Sequence, residues 1–518
     1  MERKEILSLT MTELAKAIRE QKVTSEEAVQ AVFENIDEHE SVIHAYLDFY
    51  REDSMAKALA ADAMVRETSD TTALPPLLGV PVAIKDNLLF AGKRMTCGSK
   101  MLQDFIAPYT ATCVEKLEKS GAIVIGKTNL DEFGMGASTE HSYFGATTHP
   151  MDKTRVPGGS SGGSAAAVSC GEAFAALGTD TGGSVRQPAA FCGLIGLRPT
   201  YGSVSRHGLT AFSSSMDTAG PITRSSIDAA VLFNTVKGAD PKDQTSISAP
   251  DVDISEMESY SMSGKKIGIP KQLLGEGESS DAVKRAKTFF EENGATVEEL
   301  DMPVLDYAVA IYYILSSAEA SANLARYDGI RYGYRASDVS DISELFRKTR
   351  TEGFGKEVKR RILLGNYVLS SEHFDDCYRQ AEKARKMLKK AFSDAFSKYG
   401  LLLCPTAPGV APRLGKIDED PLSTYIADLC TVPSSLAGIP SVSVPFGTFT
   451  AASSEAGSGK EALSAGSESR PAGADSRPAG AALPVAIQLM GPRFGEQEIL
   501  GAARFIEKSA FPGKGGGV

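Results

Sequence analysis

Three features of the 518-residue sequence predict an α/β fold with a large mixed central β-sheet covered on both faces by helices. Short Val/Ile/Leu runs alternate with helical stretches, the pattern of strands joined by covering helices. Those runs are apolar at successive positions, as in strands buried on both sides. The composition is that of a globular chain, with 42% hydrophobic and 23% charged residues, which excludes global disorder.

The elements follow in order. Residues 12–39 read as two helices with a break at Lys22-Val-Thr-Ser25, and Thr24 with Glu27 forms a capping box for the second. Residues 54–67 form a further helix. After Pro75-Pro76 come the strands Val80 to Ile84 and Ala122 to Ile125, then two glycine-rich segments. Lys265 to Pro270 is a strand, followed by a helix through Asp281 to Asn293 and a strand from Ala295 to Leu300. Residues 307–398 are mostly helical, and Leu401 to Pro405 and Ser441 to Pro445 return to strand. Between Thr450 and Ala482 the chain turns to Ala, Ser, Gly, Glu and Pro, with Leu463 its only large apolar residue. Such a segment cannot bury enough surface to offset its ordering entropy, which predicts a disordered insertion over 450–482. Its flanks, Val442 to Phe446 and Pro484 to Met490, read as strands, so the insertion lengthens a hairpin loop without splitting a domain. The tail over 513–518 reads as loose.

The chemistry concentrates in two segments. Arg155-Val-Pro-Gly-Gly-Ser-Ser-Gly-Gly-Ser-Ala-Ala-Ala167 and Thr179-Asp-Thr-Gly-Gly-Ser-Val-Arg-Gln-Pro188 hold Ser160 and Ser184, 24 positions apart and each set among glycines. Glycine lets main-chain N–H groups approach a ligand closely, so a serine there serves as a nucleophile with donors waiting for an oxyanion. Such a pair needs a base. Lys85, at the end of the apolar run Leu77-Leu-Gly-Val-Pro-Val-Ala-Ile-Lys85, is the candidate, because desolvation makes a lysine neutral near pH 7. Without that lysine, a Gly/Ser-rich stretch reads as a flexible loop. The amides of Thr181, Gly182, Gly183 and Ser184 are candidate oxyanion donors.

Lys85, Ser160 and Ser184, at spacings of 75 and 99 from the lysine, resemble the Ser–Ser–Lys triad of the amidase signature family. Gly121-Ala-Ile-Val-Ile-Gly-Lys-Thr-Asn-Leu-Asp-Glu-Phe133 and Phe191-Cys-Gly-Leu-Ile-Gly-Leu-Arg-Pro-Thr-Tyr-Gly202 match it too. Within the family the chain is most similar to the branch of glutamyl-tRNA(Gln) amidotransferase A subunits. Three stretches carry that similarity: Met135-Gly-Ala-Ser-Thr-Glu140, Ala325-Arg-Tyr-Asp-Gly-Ile-Arg-Tyr-Gly-Tyr-Arg335 and Glu352-Gly-Phe-Gly-Lys-Glu-Val-Lys-Arg-Arg-Ile-Leu-Leu-Gly365. The resemblance implies the amidase-signature fold over 1–518 as one domain: N-terminal helices over 1–70, a catalytic region over 75–235 and a mainly helical region over 305–398. It implies Ser184 as the acylated nucleophile, Ser160 as the bridging serine on a cis peptide after Gly159, and Lys85 as the base. It also implies Arg361 and Asp428, with Tyr312 nearby, as the groups that hold the α-carboxylate and α-ammonium of glutamine. Arg360, immediately before it, is the alternative to Arg361. Ser138-Thr-Glu140 falls where the family's substrate loop lies.

The branch implies a heterotrimer. This chain would release ammonia from glutamine, a B subunit would use ATP and Mg to convert Glu-tRNA(Gln) to Gln-tRNA(Gln), and a C subunit would brace the pair. The rival readings are a stand-alone amidase for another carboxamide and a silent scaffold for the B subunit. The chain's net charge of −11 argues against a nucleic-acid groove spread over it, leaving tRNA mainly to the partner. The basic run Lys383 to Lys390 reads as the solvated face of an amphipathic helix. Gly457-Ser-Gly-Lys460 lacks the spacing and hydroxyl of a phosphate loop, so no nucleotide cofactor is expected on this chain. Six scattered histidines suggest neither a metal site nor a Ser-His-Asp triad. Ser161, Ser164 and Asp180 read equally as relays or as structural hydrogen-bonders. Seven cysteines without a Cys-x-x-Cys pair, no leader-like N-terminus and no membrane-length apolar run lead to the expectation of a cytoplasmic chain.

Overall fold

Eleven strands pair into one mixed sheet in the computed structural model, in the order β1-β3-β2-β4-β6-β5-β10-β11-β9-β7-β8. The structure describes residues 1–416, 428–449 and 482–510. In chain order the strands are β1 (Tyr46–Phe49), β2 (Pro81–Lys85), β3 (Ile123–Thr128), β4 (Ala175–Asp180), β5 (Ile195–Arg198) and β6 (Thr218–Thr223), then β7 (Lys266–Pro270), β8 (Thr296–Leu300), β9 (Leu401–Pro405), β10 (Ser441–Phe449) and β11 (Leu483–Met490). β2 runs parallel to both β3 and β4, and β7 runs parallel to both β8 and β9. Antiparallel pairs join the two parallel groups. Every residue of β2, β3, β4, β9 and β11 is buried, which is why β2, β3, β9 and β11 read as apolar runs with no alternation.

The N-terminal helices break where the sequence places the break. The helix Met11–Arg19 ends, and the next, Ser25–Ile43, begins at Thr24. The Thr24 hydroxyl accepts from the Glu27 amide at 3.0 Å, and the Glu27 carboxylate accepts from the Thr24 amide at 2.7 Å, which closes the capping box. The expected helical tract resolves into Ala308–Leu324, Ile342–Gly353, Lys356–Leu369 and Arg379–Phe396, with irregular chain over 325–341. β10 and β11 pair antiparallel from Ser441–Met490 to Phe449–Leu483, so the segment between them leaves and re-enters at adjacent positions. The low-complexity insertion (residue 482 apart) and the tail over 513–518 lie outside the described residues.

Four strands escape the sequence pattern. β4, Ala-Ala-Leu-Gly-Thr-Asp, carries Gly178 and runs into the second glycine-rich segment. β1 is only Tyr-Leu-Asp-Phe, paired to β3 at the sheet's edge, too short for a period to show. β5 is four residues long and ends in a buried arginine, and β6 carries Gly220 and Pro221, both punctuators in a sequence reading.

Candidate active site

The carboxyl ends of β2, β3 and β4 meet at one edge of the sheet, where α/β proteins gather their functional groups. Lys85 is the last residue of β2 and is wholly buried, the consequence of an apolar strand that carries its only charge at the end. Its Nζ donates to Ser160 Oγ at 2.8 Å and to Ser161 Oγ at 2.9 Å, with the Thr179 carbonyl at 3.4 Å. Ser160 follows a cis peptide bond from Gly159. Ser161 Oγ in turn donates to the Thr179 carbonyl at 3.1 Å, so it fixes the lysine head between β4 and the start of the helix Gly162–Ser169. Ser164 is further off: its hydroxyl pairs with Thr128 at 2.6 Å.

Burial pushes the Lys85 ammonium down to about 7, although Asp131, Asp180 and Asp217 pull it back up. Below that value the lysine is protonated and is no longer a base. Hydrolytic rate (as kcat/KM) is therefore expected to rise about ten-fold per pH unit below 7 and to level off above it. A profile flat from pH 5.5 to 8.5 would rule out Lys85 as the titrating base.

The loop after β4 carries the second serine. Ser184 is nearly buried, and its carbonyl accepts from the Ser161 amide at 3.1 Å, which docks the two serine segments together. Among the described residues no hydrogen bond joins the Ser160 and Ser184 hydroxyls, and none engages the amides of Gly182, Gly183 and Ser184. Free amides on a closed loop are what an oxyanion needs. The Thr181 hydroxyl donates to Asp217 at 2.6 Å, and Asp217 is itself pushed up to about 6 by burial. Gly183 has φ +141°, and a Cβ there would lie 2.2 Å from Thr431 Oγ1, so only glycine fits. Thr431 Oγ1 donates to the Gly182 carbonyl at 2.6 Å, and a Cβ on Gly182 would lie 2.7 Å from Tyr312.

Asp180 settles its two readings in favour of structure. Its carboxylate accepts from Arg186 Nε and Nη2, both at 2.9 Å, from Arg198 Nη1 at 2.8 Å and from the Val185 amide at 3.2 Å. All three charged side chains are wholly buried. The two guanidinium groups offset the burial and hold the Asp180 carboxyl far below the usual range.

Arg361 and Asp428 meet around Tyr313. The Arg361 guanidinium lies 4.2 Å over the Tyr313 ring, and the Tyr313 hydroxyl donates to Asp428 Oδ2 at 3.0 Å. Arg361 is 3% exposed, whereas Arg360 is 41% exposed. The Arg361 Nη1 atom is buried and has no hydrogen-bond partner among the described residues. Burial pushes Asp428 up to about 6, against the pull of Arg361 and the Tyr313 hydroxyl. Tyr312, edge-on to Tyr313 with ring centroids 5.3 Å apart, is buried and kept protonated.

The sequence does not single out Lys127, Asp86 and Asp131 at this edge as site residues, although Lys127 and Asp131 lie in a stretch that matches the family. Lys127 pairs with Asp86 at 3.0 Å and donates to the Leu88 carbonyl at 2.6 Å, all within the buried ends of β3 and β2. Asp131, wholly buried, accepts from the amides of Ser138 and His141, each at 3.2 Å, and from His141 Nδ1 at 3.1 Å. Each is a charge beside an apolar run, a pattern that also marks ordinary strand ends. Ser138-Thr-Glu140 divides: Thr139 is buried and donates to the Gly158 carbonyl at 2.8 Å, while Glu140 helps line an open cavity of about 250 Å³ together with Glu132, His141 and Glu357.

Among the described residues no three His, Cys, Asp or Glu side chains are grouped to hold a metal ion, and no helix is long and apolar enough to cross a membrane. Residues 27–500 match the amidase family model. The chain is 44% identical over 508 residues to the A subunit of glutamyl-tRNA(Gln) amidotransferase from Lachnoclostridium phytofermentans, covering 98% of each chain. It is 45% identical to the protein of the same name from Moorella thermoacetica, covering 98% of this chain and 97% of that one. The crystal structure of the Thermotoga maritima protein of that name superposes with a TM-score of 0.73 at 36% identity, covering 98% of this chain and 94% of the other. Native peptide amidase from Stenotrophomonas maltophilia superposes at 0.75 with 25% identity, over 97% and 96% of the two chains. A lysine–serine site at the carboxyl edge of a mixed sheet, matched over nearly the full length of the chain, makes this protein a member of the amidase family.

Proposed function

We propose that this chain is the glutamine-hydrolysing subunit of a tRNA-dependent amidotransferase, acting as one amidase domain over 1–518. Neutral Lys85 draws a proton from Ser160, which draws one from Ser184, whose oxygen attacks the side-chain amide of glutamine. The amides of Thr181 to Ser184 receive the oxyanion. The proton returns through Ser160 to the leaving nitrogen, ammonia departs, and water then releases glutamate from Ser184 by the same relay. Ammonia passes to a B subunit, which uses ATP and Mg to turn Glu-tRNA(Gln) into Gln-tRNA(Gln), with a C subunit bracing the complex in the cytoplasm.

The observation that carries glutamine as the substrate is the pairing of Arg361 with Asp428 across Tyr313. A buried guanidinium with an open Nη1 suits an α-carboxylate, and an aspartate close by suits the α-ammonium. Arg361→Ala is therefore expected to raise KM for glutamine at least about ten-fold, while hydrolysis of butyramide, which has neither α-group, keeps its kcat/KM. Equal losses on both substrates would point to a stand-alone amidase of different specificity.

A further inference from the structure

Arg361 reaches the glutamine site from a helix, and a long side chain needs a second anchor to hold its fork in one place. That anchor lies one turn back on the helix Lys356–Leu369. Glu357 Oε1 accepts from Arg361 Nε at 2.6 Å and from Arg360 Nη2 at 2.7 Å, while Oε2 accepts from Arg360 Nε at 2.7 Å. The spacings are i to i+4 and i to i+3, the two that bring helical side chains together. Burial raises the Glu357 carboxyl, but the two arginines more than offset this and keep it below its usual range.

The division of the guanidinium is specific. Its Nε edge is taken by Glu357 and its face by the Tyr313 ring at 4.2 Å, while buried Nη1 has no partner among the described residues. Two restraints on a planar group fix the direction of the third. Glu357 itself lines the open cavity and makes its hydrogen bonds to the two arginines, so its action on the site runs through Arg361.

We propose that Glu357 is a positioning residue that sets specificity for α-amino-acid amides by aiming Arg361 at the substrate α-carboxylate. This rests on the reading of Arg361 and Asp428 as the glutamine site. The test compares glutamine with butyramide for wild type, Glu357→Gln, Arg360→Ala and Arg361→Ala, each within its full complex.

Glu357→Gln keeps an acceptor but loses the charge-assisted bond. It is expected to raise KM for glutamine about ten-fold, leave kcat within about two-fold and leave butyramide unchanged. Arg360→Ala leaves Glu357 on Arg361 and should behave as wild type. If Glu357→Gln leaves glutamine KM unchanged or lowers it, or depresses both substrates together, the positioning role is wrong. Failure of Glu357→Gln with a selective loss in Arg361→Ala overturns this inference alone. Should Arg361→Ala also spare glutamine, the glutamine-site reading falls with it.

Discussion

Ser184→Ala is expected to lower glutamate release from glutamine by at least about 10⁴-fold, with KM little changed. In the proposed mechanism Ser184 carries the bond-forming oxygen, and neither hydroxyl that Lys85 touches, Ser160 or Ser161, replaces it as the attacking group. Lys85→Met, which keeps the length of the side chain in the core, is expected to cause a loss of similar size. Because the residues act as one relay, the double variant should be no worse than either single one. Steady-state glutamate release measures all three. A Ser184→Ala variant that retains more than about a hundredth of the wild-type kcat would place the nucleophile elsewhere.

The second large effect falls on stability. Asp180→Asn leaves Arg186 and Arg198 buried without their shared carboxylate, and breaking a buried pair on one side costs about 3–5 kcal/mol. The loss spreads, because Arg186 also donates to the Thr431 carbonyl at 2.9 Å, to Ser434 at 2.7 Å and to Gln488 at 2.6 Å. Those contacts tie the end of β4 to the segment that holds Gly183 in place and to β11. Urea unfolding should show a clearly lower midpoint, with hydrolysis of both glutamine and butyramide reduced in the folded variant. A variant with the wild-type midpoint would mean that the ion pairs contribute no net stability.

What the sequence makes legible follows from which forces are local. Lys85, Ser160 and Ser184 stand out because glycines around a serine and a lysine ending an apolar run are rare combinations. The sheet is legible where strands are buried on both faces, as in β2 and β9, and not where they are short or carry Gly and Pro, as in β1 and β6. Asp180 is present in the sequence, but its two arginines follow at 6 and 18 positions, a spacing that no helical or strand period predicts. Glu357 lies within one of the stretches that mark the family branch, yet its grip on both arginines shows only once the helix is formed and Arg361 is found inside and Arg360 outside.

The most direct test is amide transfer to Glu-tRNA(Gln) by this chain co-expressed with the B and C subunits that the proposed function requires. Wild type and Ser184→Ala are each given glutamine or ammonium as the nitrogen donor. The account predicts that the variant fails with glutamine and matches wild type with ammonium, which separates ammonia release here from amide formation in the partner. Wild type that transfers nothing from either donor, yet still hydrolyses simple amides, would contradict it.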